Sequence, residues 1–312
     1  MGYSLSVNFA QLLFPDFSLI ICGFLVCRYT ALNRTVWEQV ESLVYYFLFP
    51  VLLFHSIVKS PLDLVATSSL ISAGLLTGLA GILMAYSLPY LPFIGRKIYR
   101  RDHAASAQVA FRFNSFIALA LADKLAGSQG LLLIAVLIGV CVPLFNVAAV
   151  WPMARHRKSS SLDFLRELLR NPLIIGTASG LIANLLGFTM PVWLEPTVTR
   201  IGAASLALGL LAAGAGLQFA QLAQAKTLSI SLLLIRHALL PLVAFALAKL
   251  LSLAPAQATI LLAFSALPTA SSAYVLAVRM GYNGGYVAGL VTLSTLLGMV
   301  SLPFALSLAK LL

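Results

Sequence analysis

The stretch Ala263-Phe-Ser-Ala-Leu-Pro-Thr-Ala-Ser-Ser-Ala-Tyr274 places a proline and several hydroxyl side chains inside a run that is otherwise apolar. Pro268 lacks an amide hydrogen and its ring clashes with the preceding helical turn, so it kinks or breaks a helix. The hydroxyl groups of Thr269, Ser271 and Ser272 are available to the freed backbone groups or to a ligand. The stretch therefore predicts a broken helix at membrane depth.

A second polar interruption occurs earlier, in Ala110-Phe-Arg-Phe-Asn-Ser-Phe-Ile-Ala118. An arginine at this depth costs roughly 2.5–3.5 kcal/mol on insertion scales, so Arg112 is a functional hypothesis by default, together with Asn114 and Ser115. The stretch has neither glycine nor proline, and a break here is not forced. If both helices break and cross, two half-helix N-termini point at the membrane midplane, where their dipoles favour an anion.

The composition of the 312-residue chain excludes a soluble enzyme and a disordered chain. Hydrophobic residues make up 61% and charged residues 9%, whereas a soluble domain has about 45–50% and about 25%. So few charges cannot cover the surface of a soluble protein, and disorder requires low hydrophobicity and high charge. The three cysteines form no CxxC pair, which indicates neither a disulfide framework nor a zinc site. HExxH and GxSxG motifs are absent from the sequence, so we expect no enzyme and no cofactor.

Apolar segments long enough to cross a bilayer predict an all-α polytopic membrane protein with ten transmembrane helices. The predicted spans are Leu13–Cys27, Val40–Val58, Leu64–Pro92, Ala104–Asp123, Gln129–Ala154, Leu173–Phe188, Ile201–Phe219, Leu228–Leu250, Gln257–Met280 and Val287–Leu308. The two interruptions fall in the fourth and the ninth span.

In a soluble protein, the net charge of +11 would suggest a nucleic-acid partner. In a membrane protein, the distribution of the positive charges predicts the orientation of the chain in the membrane. One set of alternate connections carries thirteen lysines and arginines, and the other connections with the two ends carry five. The thirteen are Arg28, Arg34, Arg96, Lys97, Arg100, Arg101, Arg155, Arg157, Lys158, Arg166, Arg170, Lys226 and Arg279. The positive-inside rule then places both termini outside and the linker 155–171 in the cytoplasm. A nucleic-acid partner is not expected.

The linker divides the chain into a first five-helix repeat, residues 1–154, and a second one, residues 172–312. Because each half has an odd number of spans, the second half enters the membrane upside down, as in inverted-repeat transporters. Each interrupted span is also followed by a glycine-containing turn, Gly127-Ser-Gln-Gly130 and Gly281-Tyr-Asn-Gly-Gly285.

The acidic residues lie away from the predicted midplane site. All nine fall in connections or near span ends, whereas a cation antiporter is expected to bury a titrating carboxylate. The interruptions instead offer arginine, amide and hydroxyl groups, which suit a carboxylate ligand. Arg112 is predicted either to bind that carboxylate or to pin the broken backbone.

Further polar residues inside the spans are candidates for the site or for coupling. Arg236 and His237 lie midway along the eighth span, where Arg236 pairs with a carbonyl or snorkels and His237 is a proton-coupling candidate. Asn146 and Asn184 are predicted either to line the site or to bond between helices. The small residues of Gly209–Gly216 predict close helix packing.

An ordered set of motifs along essentially the whole chain resembles the auxin efflux carrier family. These are Phe14-Pro-Asp-Phe-Ser-Leu-Ile-Ile-Cys-Gly23, Val44-Tyr-Tyr-Phe-Leu-Phe-Pro-Val-Leu-Leu-Phe54, Arg112-Phe-Asn-Ser115, Asn171-Pro-Leu-Ile-Ile175 and Leu267-Pro-Thr-Ala-Ser-Ser-Ala-Tyr-Val-Leu-Ala277. The resemblance implies two inverted five-helix repeats whose broken fourth and ninth helices cross at the substrate site, with Asn114 and Pro268 at the crossing.

Within that family, the short central linker is similar to the bacterial branch, whose members are permeases for malonate, malate and similar acids. The resemblance therefore implies a bacterial inner-membrane protein. The plant pattern has a proline beside its fourth-span asparagine, and Asn114 has none, so auxin-like specificity is not expected.

Together these features predict a secondary transporter of small mono- or dicarboxylates that works by alternating access. A proton or sodium ion is the candidate coupling ion, and membrane lipid and a second copy of the chain are candidate partners. One alternative is a sodium-coupled symporter of a larger steroid-like or aromatic acid. The alternative of another class is a membrane receptor or enzyme without transport.

Overall fold

The computed structural model describes residues 9–59, 64–154, 172–217, 226–270 and 272–312, and the regular structure in these ranges is helical. The helices are α1 (Phe9–Tyr29), α2 (Arg34–Leu43), α3 (Phe49–Lys59), α4 (Leu64–Ser87), α5 (Arg100–Ser106), α6 (Ser115–Ala154), α7 (Pro172–Leu185), α8 (Glu195–Ala215), α9 (Lys226–Leu234), α10 (Leu240–Leu250), α11 (Pro255–Ala266), α12 (Ser272–Arg279) and α13 (Gly284–Leu308). The predicted linker 155–171 lies outside the described residues.

Six helical segments in the described part of the chain are long and apolar enough to cross a membrane. The protein is therefore an all-helical, multi-pass membrane protein. Each of the ten predicted spans overlaps a helix or a broken pair of helices. The count of ten, the inverted repeat and the orientation of the termini stay predictions.

Two long helices each contain one π-helical turn, which widens the helix by one residue and is frequent at functional sites. The first, Val44–Leu48, joins α2 to α3, and the second, Ile235–Leu239, joins α9 to α10. The second turn carries both Arg236 and His237. The polar pair in the eighth span therefore sits on an irregular backbone segment.

Both predicted glycine turns are confirmed. Gly127 has φ +54° and lies inside α6, where it separates two helical arms, 115–125 and 128–154. Gly281 has φ +78° and lies two residues after the end of α12. Only glycine adopts such positive φ values without strain, so both positions favour this residue.

Close backbone contact holds α1 against α8. A Cβ atom added to Gly23 would lie 1.9 Å from the carbonyl oxygen of Leu211, and one added to Gly214 would lie 1.7 Å from that of Ile20. Small residues let helix backbones approach closely inside a membrane, where no hydrophobic force drives them together. The prediction that Gly209–Gly216 serves packing is confirmed at this contact.

We expect Gly23→Ala to lower the apparent melting temperature of the detergent-solubilised protein, because its methyl group must separate α1 from α8. Overpacking of this kind costs about 1–3 kcal/mol, whereas glycine to alanine in an open helix is normally stabilising. Gly216→Ala is the matched control, since its nearest contact would be 3.5 Å away. Equal melting temperatures for the two variants would contradict the packing assignment.

Candidate functional site

The two interrupted spans are both broken, and the two breaks touch each other. The first break lies at 111–114, between a 3-10 turn that follows α5 and the start of α6, and the second lies at 267–270, between α11 and α12. The backbone N–H of Asn114 donates to the carbonyl oxygen of Pro268 across 2.8 Å. The hydroxyl of Thr269 donates to the carbonyl oxygen of Val109 across 2.7 Å.

The first break forms without glycine or proline because Asn114 caps the helix that follows it. Its Oδ1 atom accepts hydrogen bonds from the backbone N–H groups of Phe116, at 2.9 Å, and Ile117, at 3.3 Å. Asparagine is among the best N-cap residues, since its side chain satisfies N–H groups that the helix leaves open. The capping preference of asparagine was the signal in the sequence that could have predicted this helix start.

Arg112 links the two breaks through its guanidinium group. It donates to Oε1 of Gln108 across 2.8 Å and to the hydroxyl of Ser272 across 3.0 Å. Gln108 in turn donates to the carbonyl oxygen of Ala273 across 3.2 Å. Arg112 is half-buried, so it pins the breaks together and still presents part of its surface to a cavity.

Aromatic rings fill the space around the breaks. Phe113 and Phe264, one beside each break, meet edge to face with ring centroids 4.8 Å apart. Phe145 lies 6.1 Å from Phe113 and 5.7 Å from Phe111. Edge-to-face pairs stabilise beyond their buried area, so this cluster fixes the breaks in place.

Arg236 stabilises the second break from the buried side. Its exposed fraction is 1%, and its guanidinium donates to the carbonyl oxygens of Leu267 at 2.5 Å and Phe264 at 3.3 Å. Leu267 directly follows α11, and the Phe264 carbonyl in the last turn of α11 also accepts the backbone N–H of Leu267 across 3.4 Å. Of the two roles predicted for Arg236, the structure therefore shows pairing with carbonyl oxygens.

His237 connects the π turn to the second break through α13. Its two ring nitrogens lie 2.7 Å from the hydroxyl of Ser301 and 2.8 Å from that of Ser294. The Ser294 hydroxyl also accepts the backbone N–H of Thr269 across 2.9 Å. A continuous hydrogen-bonded path thus runs from His237 to the point where the two breaks touch.

A cavity of about 550 Å³ opens beside the contact between the two breaks. Five of the predicted site residues line it, namely Arg112, Asn114, Ser115, Asn146 and Ser272. Pro268, Thr269, Asn184, Arg236 and His237 do not line it. Ser271 lies outside the described residues. The structure thus separates the predicted residues that face the cavity from those that do not.

Asn184 lies away from the cavity. Of its two predicted roles, lining the site or bonding between helices, its contacts match the second. Its side-chain amide donates to the carbonyl oxygens of Ile57 at 2.8 Å and Val58 at 3.2 Å. These carbonyls end α3, so Asn184 ties α7 to α3.

The sequence reasoning missed an ion pair on the opposite wall of the cavity. Arg34 donates to both carboxylate oxygens of Glu41, at 2.7 and 3.0 Å, and to the hydroxyl of Tyr274 at 3.2 Å. Its Nε atom lies 3.6 Å from a carboxylate oxygen of Glu38. The expectation that acidic residues lie away from the site is therefore wrong for Glu38 and Glu41, which line the cavity.

This wall could have been found from helix spacing. Arg34, Glu38 and Glu41 recur at intervals of four and three residues, which puts them on one face of a helix. The sequence placed Arg34 in a connection, whereas α2 begins at Arg34 because the side chain of Asn33 caps it by accepting from the backbone N–H of Thr35. The helix thus starts at Arg34 rather than at Val40, nearly two turns earlier than the hydrophobic pattern indicates.

The comparisons agree with a transport protein. Residues 155–306 match a family model described as membrane transport protein. None of the curated proteins matches the chain. In the described part of the chain, no group of three or more His, Cys, Asp or Glu residues could hold a metal ion.

We expect Arg236→Met to destabilise the protein by about 1–3 kcal/mol, because the methionine fills much of the space but removes the buried donor of the Leu267 carbonyl and one of the donors of the Phe264 carbonyl. The readout is the apparent melting temperature in detergent. Arg200→Gln is the control, since Arg200 is exposed at α8. A melting temperature unchanged by Arg236→Met would show that the second break does not need this cap.

Proposed function

Because the chain belongs to the auxin efflux carrier family of membrane transport proteins, we propose that it is a secondary transporter of small organic anions. The family comprises transporters, so the chain is not an enzyme. The observation that carries the proposal is the cavity at the crossing of the breaks, where Arg112 and Asn114 offer hydrogen-bond donors to one space. This set of donors suits a mono- or dicarboxylate.

Arg112 and Asn114 would hold the carboxylate from two sides. A guanidinium group matches the planar geometry of a carboxylate and forms charge-assisted hydrogen bonds to it. The Oδ1 atom of Asn114 is used by the helix cap, which leaves its Nδ2 group as the donor for the substrate. The hydroxyls of Ser115 and Ser272 line the same cavity and would complete the ring of donors.

The packing of the helices supports alternating access between two parts of the protein. α1 packs closely on α8, and α3 packs on both α7 and α8. α4 and the two broken spans pack with α10, α11 and α13 in a second group. Because α2 packs on α8, Arg34 and Glu41 belong to the first group, whereas Arg112 and Tyr274 belong to the second. The cavity that these four residues line therefore lies between the groups. In the proposed cycle, the second group carries the anion past the first.

The direction in which the cavity opens would then correspond to an inward-facing state. Its exposed rim includes Glu38 and Ser42, close to the connection that the charge distribution assigns to the cytoplasm. In a bacterium, the membrane would be the inner membrane.

A proton is the coupling ion that the buried path suggests. His237 reaches the second break through Ser294, so a change in its protonation would alter the hydrogen bonds that hold the crossing. Sodium is the rival coupling ion, since hydroxyl and carbonyl oxygens could bind it. Arg236, the other coupling candidate, is occupied with the carbonyls of the break.

The wall of the cavity favours a second candidate, the transport of an aromatic acid. Aromatic rings line much of the space, from Tyr45, Tyr46, Phe113, Phe116, Phe145 and Tyr274. A volume of about 550 Å³ is also within the range of sites for drug-sized ligands, about 300–1,000 Å³. An aromatic body would pack against these rings while its carboxylate meets Arg112.

A thermal-shift screen with and without sodium and at several pH values compares the two candidates. The ligands are malonate, succinate, benzoate and phenylacetate, and a ligand that binds the folded protein raises its melting temperature. We expect stabilisation by at least one acid in the wild type and its loss in Arg112→Gln. Stabilisation that persists in the variant would contradict the assigned site, and stabilisation by the aromatic acids alone would favour the second candidate.

Two substitutions of Asn114 separate its capping role from its substrate role. Serine is about as good an N-cap as asparagine, whereas alanine loses about 1 kcal/mol. We therefore expect Asn114→Ser to keep the melting temperature but to lose uptake of radiolabelled substrate into proteoliposomes, because the Nδ2 donor is gone. Asn114→Ala should both lower the melting temperature and lose uptake, because alanine provides neither the cap nor the Nδ2 donor.

The outcome that would contradict this assignment is wild-type uptake by Asn114→Ser. In that case Asn114 serves only to cap α6, and the carboxylate binds elsewhere. A control for general damage is the uptake by Gly216→Ala, which changes a residue with only ordinary packing contacts.

A further inference from the structure

A second cavity, of about 710 Å³, lies apart from the crossing. It is bounded by the start of α5, the end of the second arm of α6 and the turn after α12. Its wall includes two adjacent arginines, two tyrosines and two methionines, namely Arg100, Arg101, Tyr99, Tyr282, Met153 and Met280. Neither the transport cavity nor its walls use any of these residues.

The positive charge around this cavity is exposed, and no acidic side chain of the described ranges pairs with it at short range. Arg96, Lys97, Arg100 and Arg101 are all exposed. In the described ranges, no ion pair within 4.0 Å forms at any of these four side chains. Asp102 is the acidic residue of the same segment and is half-buried. The segment therefore keeps a surplus of positive charge at the cavity, which an anionic group would balance.

Arg101 is held in place at the edge of this cavity. One of its terminal nitrogens donates to the carbonyl oxygen of Gly281 across 3.0 Å, and its guanidinium carbon lies 5.6 Å from the centre of the Tyr282 ring. Both contacts orient the guanidinium plane. A guanidinium with a fixed orientation and further N–H groups is well suited to bind the oxygens of a phosphate.

Apolar and aromatic side chains lie next to these charges. The same combination of residues is found where a protein meets the boundary between lipid headgroups and acyl chains. Tyr90, Phe93 and Tyr99 have exposed fractions of 78%, 84% and 65% in the segment that leads into α5. Aromatic residues concentrate at this level of a membrane, because one end of the ring is wet and the other apolar. Met153 and Met280 add flexible apolar surface to the cavity wall.

We propose that this cavity binds the headgroup of an anionic phospholipid, with the phosphate on Arg100 and Arg101 and the glycerol and upper acyl chain against the methionines and the exposed aromatic rings. Basic pockets between transmembrane helices bind such headgroups. The apolar surroundings favour a lipid over free phosphate, which has no apolar part to bury.

Such a lipid would contact both broken spans at once. α5 leads into the first break, and the turn with Gly281 follows α12, which begins after the second break. A headgroup on Arg101 would therefore strengthen a link between the two spans at a cavity that shares no lining residue with the transport cavity. The inference does not depend on which anion the protein transports.

The test uses the purified full-length protein in a neutral detergent. Phosphatidylglycerol, phosphatidylcholine and inorganic phosphate are titrated separately, and the melting temperature and the lipid retained in native mass spectrometry are measured. Arg100→Gln/Arg101→Gln is the test variant, and its glutamine at 101 can still donate to Gly281. Arg96→Gln/Lys97→Gln is the matched control, because it removes the same charge from the same segment but not from the cavity wall.

We expect phosphatidylglycerol to stabilise the wild type more than phosphatidylcholine does, and the test variant to weaken this apparent affinity by about tenfold or more. The control variant should weaken it by less than about threefold. Equal loss in both variants would show diffuse attraction to the surface and would overturn the proposal. Stabilisation by inorganic phosphate alone, lost in the test variant, would assign the cavity to free phosphate. A wild type that does not prefer phosphatidylglycerol would also overturn it.

Discussion

The hydrogen bond from the Asn114 amide to the Pro268 carbonyl is the contact on which the rest of the structure depends. Two helices broken at membrane depth expose backbone groups for which lipid offers no partners, and each unsatisfied group costs several kcal/mol. The two breaks satisfy part of this need by hydrogen-bonding to each other. The backbone N–H of Asn114 donates to the Pro268 carbonyl, and the Thr269 hydroxyl donates to the Val109 carbonyl. The cavity beside them exists because the backbone there is not helical.

The charged and polar residues around the contact between the breaks also hydrogen-bond to groups that the breaks leave open. Arg236 donates to the carbonyl oxygens of Phe264 and Leu267. The Ser294 hydroxyl bonds to His237 and accepts the backbone N–H of Thr269. These groups are expensive to bury alone, but each has partners inside the protein. Arg236, His237 and Thr269 do not line the cavity, whereas Arg112 and Asn114 both hold the breaks and line it.

The sequence predicted the helical class, the positions of both interruptions and both glycine turns, because proline, midspan arginine and glycine act locally. Of the substrate-binding residues that it proposed, Arg112, Asn114, Ser115, Asn146 and Ser272 lie at the cavity, and their role in binding stays a prediction. It named backbone groups as possible partners of Thr269 and Arg236, but it could not say which carbonyls they meet, because that depends on how distant helices pack. It also missed Arg34 and Glu41, since hydropathy does not register a charged pair that neutralises itself at the start of a helix.

The bond between Arg34 and Tyr274 joins the two groups of helices that the proposed cycle moves apart. At 3.2 Å, it does not survive a displacement of a few ångströms, so in the proposed cycle it would break each time the two groups separate. A hydrogen bond to a charged group contributes about 1.5–3 kcal/mol, which corresponds to about a 10- to 160-fold change in rate. In that cycle, this contact would therefore lengthen the time that the protein spends in the state with the cavity open beside Glu38.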